Sequence, residues 1–448
     1  SAGPVVPMSI SRCTPAANAS WIIGGKVCLA LIHLGVSMCA ARLLGTEGFG
    51  EIQYAAAISG LLLPLCTLGL HDVLVPELVR CPKNSGAALG TAIGMRLAAS
   101  LGVLAAWYLL LCLGASGVAV PSVALLYGIS LIFQAAEPLA DWFRSRLQSV
   151  LPVLISCAAA AAAALCQVGL LLAEQGTPWF ALAHGLEAAV AVPLLALAYR
   201  RSAGRQLLRP DWNTARDLWN RGRHFLLSGL LVALYGQMDR VMLRAMLGET
   251  AVGLYGAASS ISTLWIFVPA ALVETARPLL LARHHRDPGS FPQKLAALYS
   301  VLWYGSCAAG LGVCLLARPL LGILYGSSYL PACSTLWVSA WRPAFACLGT
   351  ARSIFLAARN QFQFEKYLAA VGAGVNLVLN LLLIPTWGPL GAALATLLAQ
   401  AAANVGAGFL IPTLRENSRL ILRGMDPRTL RLALTGRNRR SHRWKKSA

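Results

Sequence analysis

The residues of this chain that could do chemistry are ionised side chains standing inside apolar runs. They are Lys26, Arg96, Asp239, Arg240, Arg244 and Arg342, with Glu137, Glu187 and Glu274. A charge at the centre of a bilayer costs about 2.5–3.5 kcal/mol on insertion scales, and those that persist usually face a polar cavity or a partner. Arg240 and Arg244 are four apart and share a helix face, whereas Asp239 points about 100° away from Arg240. Asp239 is therefore expected to find its partner on another helix, with Lys26, Arg96 and Arg342 as candidates. The pattern predicts a cationic stripe beside an acid, a surface suited to an anion. Arg244, near a helix end, is expected to snorkel towards headgroups. Glu274 and Arg277, three apart, are expected to form a structural pair.

Most other chemistries lack their residues. There is no GxSxG, HExxH, Walker or CxxC pattern, and no long extramembrane loop to house a catalytic site. An enzyme is therefore not expected, and neither is a metal site. The twelve cysteines are scattered, mostly in apolar runs, and read as small buried hydrophobes rather than a disulfide frame.

These charges must be held by membrane helices. The chain of 448 residues is 57% hydrophobic and 12% charged, about half the charge of a soluble domain. The expected fold is an all-α polytopic membrane protein of about twelve helices in two six-helix lobes. The spans are predicted near 20–41, 52–78, 88–112, 121–141, 150–173 and 179–199, then 224–247, 254–281, 295–317, 333–357, 367–384 and 390–413. The organisation reads as an N-terminal extension (1–19), an N-lobe (20–199), a basic linker (200–223), a C-lobe (224–413) and a basic tail (414–448). Residues 1–7 lack an initiator methionine, and Met8 is the expected start.

Charge sets the direction. With the N-terminus in the cytoplasm, thirty of the 37 Lys and Arg fall on that side, counting Arg277 and Arg352 at the inner ends of their helices. The opposite loops hold only Arg42 and Arg318. The positive-inside rule then places both termini in the cytoplasm, and the net charge of +20 is mostly a topology signal, so no nucleic-acid partner is expected. The linker, with Trp212 and Trp219 among arginines, predicts an interfacial helix. The tail, to Lys446, is a candidate for anionic lipid headgroups.

An internal duplication is visible at an offset of 203. Leu44, Gly45, Gly50, Ala55, Ile58 and Ser59 recur as Leu247, Gly248, Gly253, Ala258, Ile261 and Ser262. Pro64 and Pro269 fall mid-span in the matching second and eighth helices and are the hinge candidates.

Several motifs together resemble Wzx-type polysaccharide flippases of the MOP superfamily, which also holds the MATE exporters. They are Ala41–Gly50 (ARLLGTEGFG), Asp239-Arg240 with Leu247-Gly248 and Gly253-Leu254-Tyr255, Leu320–Tyr329, and Asn376, Asn380, Ile384-Pro385 and Gly388. The resemblance implies a bacterial inner-membrane protein that flips undecaprenyl-pyrophosphate-linked oligosaccharide from the cytoplasmic to the periplasmic leaflet. Membrane lipids surround it, and a polysaccharide polymerase and a chain-length regulator are the implied protein partners. It implies that Lys26, Arg96, Arg240 and Arg342, with Arg244, are the candidates to receive pyrophosphate. It implies an H⁺ or Na⁺ gradient as driving force without a bound cofactor, with Asp239 the first candidate carboxylate and Glu137 and Glu187 after it. The alternatives are a MATE-like cation exporter or, in another class, a membrane-bound polysaccharide polymerase or ligase.

Overall fold

The computed structural model describes residues 15–80, 85–113, 122–146, 148–203 and 208–435. Basic tail residues beyond 435 lie outside the described residues. Eight of the helices there are long and apolar enough to cross a membrane. Two of them, Trp21–Thr67 and Phe362–Leu410, hold 47 and 49 residues. At 1.5 Å per residue each is roughly 70 Å, over twice a bilayer core, and each is interrupted by a glycine with non-helical backbone, Gly45 or Gly388. Each therefore supplies two crossings. The bent pair Glu249–Thr263 and Phe267–His284, at 42°, adds another. Cys333–Ser339 and Arg342–Arg359 occupy the stretch expected for the tenth span, without reaching the length and apolarity of the others. The helices are compatible with the twelve expected spans, numbered below in chain order.

Gly45 and Gly248 carry the duplication into three dimensions. Gly45 has φ 71° and ψ −172°, and Gly248 has φ 86° and ψ −173°. This left-handed φ is one that only glycine adopts without strain. The same backbone break at the same repeat position reverses the chain between spans one and two and between seven and eight.

Two boundaries differ from the sequence reading. The second span stops at Thr67 instead of 78, and a separate helix runs His71–Arg80. The break falls at Leu68 and Gly69, with φ 55° and 64°. A Cβ on Gly69 would lie 2.6 Å from the Leu226 nitrogen and 2.7 Å from the Gly222 oxygen, so the chain turns where it meets the seventh helix. That helix, in turn, starts at Trp212, twelve residues before the predicted 224. Its cap is Asp211, which accepts from the Thr214 amide at 2.8 Å. The Thr214 hydroxyl and amide hold the Asp211 carboxyl below its ordinary range, so this cap is present above that range and lost on acidification. The stretch expected as an interfacial helix is helical from Trp212 and continuous with span seven, with Trp212 83% exposed.

Each lobe has an apolar core of its own. The first is built around Leu74, Leu89, Trp142, Phe143 and Tyr199, the second around Leu295, Tyr299, Leu348, Phe355 and Ile421. A third cluster joins the lobes, with Val36, Ala40 and Phe49 on one side and Ala257, Ala258, Ile261, Tyr325 and Tyr329 on the other. Contact between the lobes runs mainly through the first two spans against the seventh and eighth, and the segment Ser327–Ala332.

Candidate functional site

The lobes close at the end marked by Gly45 and Gly248. A Cβ on Gly50 would stand 1.9 Å from the Glu249 oxygen, and one on Gly253 would stand 2.1 Å from the Thr46 oxygen. Thr46 and Glu249 are themselves 203 apart, as are Gly50 and Gly253, so the two contacts are repeats of each other across a pseudo-twofold. Tyr329 donates to the Gly45 oxygen at 2.9 Å and stands 3.2 Å from that of Ala41. Arg42 donates to the carbonyls of Ile323 and Leu324. Glycine lets backbone meet backbone here, and the polar bonds fasten it.

Below this closure the lobes face each other with charge. Ser37, His33 and Lys26 share one face of the first span, and Ser37 reaches Tyr325 of the other lobe at 3.5 Å. His33 and Lys26 therefore look into the inter-lobe space, and both are exposed. His33 pairs with Glu187 of the sixth span at 2.9 Å. Next to it, Tyr127 stacks on His184 with centroids 3.9 Å apart. Across the gap, Arg240 donates to Gln237 at 2.9 Å, and Arg342 to Ser259 at 2.9 Å. Gln237 itself packs against Gly60 of the N-lobe. Arg240 lies within electrostatic reach of Arg342 and of Tyr127, which is also within reach of Glu187. Among the described residues, neither Arg240 nor Arg342 has a carboxylate within 4.0 Å. The arrangement can receive an anion, because two guanidinium groups within electrostatic reach of each other have no carboxylate in direct contact, Asp239 acting on Arg240 only at longer range.

Asp239 turns the other way, as the helix geometry requires. It is 1% exposed and sits inside the C-lobe. Its Oδ1 accepts from Asn376 at 3.0 Å and Asn380 at 2.7 Å. Its Oδ2 accepts from the hydroxyls of Tyr255 and Thr396. The expected cationic partner is replaced by four neutral donors from the eighth, eleventh and twelfth spans. Two donors per oxygen fill the acceptor capacity of a carboxylate. Such donors stabilise a buried charge without an opposite ion. The Asn380 oxygen is buried and has no donor, so the cluster retains one open oxygen ligand.

The model for polysaccharide biosynthesis proteins matches residues 16–280, more than half of the chain. The chain belongs to this family. Two curated relatives come from Haloferax volcanii. The "probable low-salt glycan biosynthesis flippase Agl15" is 25% identical over 53% of this chain and 50% of its own. The "probable flippase AglR" is 27% identical over 45% and 43%. The chain thus spans about half the length of the curated relatives it matches. Among solved structures, the lipid II flippase MurJ in an inward closed conformation superposes with a TM-score of 0.69 at 13% identity, covering 92% of both chains. An inward-facing multidrug MATE transporter of the MOP superfamily gives 0.65 at 14%, covering 94% of this chain and 98% of its own. These likenesses show the fold alone, a helical membrane architecture shared with MurJ and the MATE transporter.

Within this family member, the other candidates take different places. Arg96 is 1% exposed inside the N-lobe and bonds Glu137 at 2.7 Å. Neither joins Arg240 and Arg342. Arg244, expected at the headgroups, instead bonds Glu249 at 2.7 Å and lies over the Tyr54 ring at 4.3 Å, inside the closure. Glu274 and Arg277 approach to 3.7 Å, as their spacing predicts. Pro64 packs against Gly229 of the seventh span. Pro269 is the third residue of Phe267–Arg286, just past the 42° bend. Arg352 was counted with the inner face by sequence, yet it is only 7% exposed. It donates to the carbonyls of Ala403 and Asn404, where a π-helical turn, Ala402–Gly406, breaks the ordinary ladder.

These placements predict opposite phenotypes for two arginines. Arg96→Leu leaves Glu137 without its partner and is expected to destabilise the fold by about 3 kcal/mol or less, since Glu137 is 42% exposed. Arg240→Leu removes no ion pair and is expected to unfold near the wild-type temperature. Thermal unfolding in detergent compares the two.

Proposed function

We propose that the protein is an alternating-access flippase for a polyprenyl-pyrophosphate-linked oligosaccharide, moving it from the cytoplasmic to the periplasmic leaflet of a bacterial inner membrane. The observation that carries the reading is the pair Arg240 and Arg342, unpaired guanidinium groups facing the inter-lobe space. An anionic headgroup would supply the charge they lack, while the apolar tail stays in lipid. Lys26, on the facing helix, adds a third cation near the entrance. A flippase role is supported by the family match and by the names of the curated relatives. The carrier is proposed as undecaprenyl pyrophosphate, with a polysaccharide polymerase and a chain-length regulator as partners. The lobes are assigned to 20–199 and 224–413, joined by the linker 200–223, with both termini cytoplasmic on the charge count. A cation exporter fits this site poorly, because two unpaired arginines repel its cargo.

The driving force is proposed as an H⁺ or Na⁺ gradient acting at Asp239, with Glu187 second and Glu137, held by Arg96, third. Asp239 and the open oxygen of Asn380 are the ligands a cation would meet, and protonation of Asp239 would reorder the same four donors. Pro269, at the bend in the eighth span, and Pro64, against the seventh, are the proposed hinges.

Complementation tests the function. In a flippase-deficient host supplied with the matching glycan pathway, the wild-type protein is expected to restore surface glycan. Arg240→Ala and Arg342→Ala are each expected to reduce display by tenfold or more, about 1.4 kcal/mol or above, at unchanged membrane levels of the protein. Full display by both variants would remove the arginines from the site.

A further inference from the structure

In the C-lobe, among residues distinct from the group around Arg240 and Arg342, the eighth and ninth spans part to leave a groove of about 380 Å³. Its walls are Ala276, Leu279, Leu280 and Arg283 from one helix and Lys294 and Leu298 from the other. The first four follow i, i+3, i+4 and i+7, and the last two i and i+4, so each helix offers one face. The floor is aliphatic, with Leu280 and Leu298 buried, and Leu279 stands 70% exposed at its side. The mouth is dicationic. Arg283 lies in the last turn of Phe267–Arg286 and Lys294 in the first turn of Phe291–Leu315, so the two side chains flank the same short connection.

Neither cation has a carboxylate within 4.0 Å among the described residues. Arg283 near a helix C-terminus is explained by the helix dipole, which favours a cation there. Lys294 is not. It stands at the positive end of its helix, where the dipole opposes it. A cation in that position, beside a second one and above an apolar trough, lacks its complement among the described residues. Asp287 in the connection is the nearest acid in sequence, and its carboxylate pairs with neither. None of the six lining residues belongs to the group around Arg240 and Arg342.

We propose that this groove is a site for an anionic phospholipid of the surrounding bilayer, with the phosphate at Arg283 and Lys294 and one acyl chain along Ala276, Leu279, Leu280 and Leu298. Charge complementarity selects the headgroup. The aliphatic floor selects an amphiphile over a free anion. Basic pockets between membrane helices at the cytoplasmic side recognise lipid headgroups in this manner. A lipid seated here would brace the eighth span, on the same helix pair that bends by 42°.

Native mass spectrometry of the full chain, released from detergent with defined lipids, tests the site. Wild type is expected to retain phosphatidylglycerol over phosphatidylcholine, and the double variant Arg283→Gln/Lys294→Gln to lose that preference by roughly tenfold. Arg216→Gln/Arg223→Gln, which removes the same charge from the linker helix, is expected to retain it. Glycerol phosphate in excess is expected not to displace the lipid. Three results would each overturn the proposal: equal retention of both lipids by wild type, equal loss in the two double variants, or displacement by glycerol phosphate. Unchanged thermal unfolding of Arg283→Gln/Lys294→Gln in lipid-free detergent is expected, because both side chains are exposed.

Discussion

Gly253→Val is expected to hold the closed end apart and to abolish transport. The added Cβ would meet the Thr46 oxygen at 2.1 Å, and the nearest atoms beyond it are backbone too, the Thr46 carbonyl carbon and the Gly50 nitrogen. Backbone cannot yield as a flexible side chain can. Overpacking of this kind costs about 1–3 kcal/mol, and it penalises only the state in which the lobes touch here. A transporter must visit that state in every cycle, so the penalty becomes a population shift of roughly five- to 150-fold. Spin labels at Leu43 and Ile323, exposed positions of the two lobes at this end, are expected to move apart in the variant, and surface glycan is expected to fall accordingly. Gly50→Val, the repeat-related change, is expected to behave alike. Unchanged label distances together with normal glycan display would show that the closure plays no part in the cycle.

Asp239→Asn is expected to uncouple transport from the ion gradient and to weaken the C-lobe. The carboxylate accepts from four donors on three helices, although Asn380 also donates to Asn376 and Thr396 to the Ala392 carbonyl. An amide presents one acceptor oxygen and adds two donors, so it opposes part of that set. Hydrogen bonds to a buried charge are worth about 1.5–3 kcal/mol each, and losing even one exceeds what most surface changes do. Asn376→Ala leaves the carboxylate in place with one donor fewer, and is expected to destabilise less while retaining gradient dependence. Flipping in vesicles with and without an imposed H⁺ or Na⁺ gradient separates the two. Persistent gradient dependence in Asp239→Asn would take Asp239 out of the coupling step, whatever its effect on stability.

The fold was legible because the bilayer imposes it. Long apolar runs and glycine-marked turns are local properties, and the repeat at 203 identified both sharp reversals, Gly45 and Gly248, from sequence alone. The opposed directions of Asp239 and Arg240 were also legible, since 100° per residue is fixed by the helix. Partnership was not. Asp239 was expected beside a cation, but Asn376, Asn380, Thr396 and Tyr255 lie 16 to 157 residues away, and neutral donors give no charge signal to count. Arg96 and Arg240 look equivalent in sequence, each an arginine inside an apolar run. Only packing distinguishes the arginine bonded to Glu137 from the one left unpaired. Arg352 was missed because it stands two turns from a helix end, where a charge count assigns it to the surface. Its carbonyl partners, Ala403 and Asn404, lie in the π turn of the twelfth helix, which no charge count shows.

The account turns on whether Arg240 and Arg342 handle the substrate. The direct measurement is translocation of a fluorescent polyprenyl-pyrophosphate-linked oligosaccharide in reconstituted vesicles, read as the fraction reached by an external quencher over time. Wild type is predicted to move the lipid far faster than protein-free vesicles, and Arg240→Ala/Arg342→Ala to move it at the protein-free rate while remaining folded. Equal rates for wild type and the double variant would contradict the account.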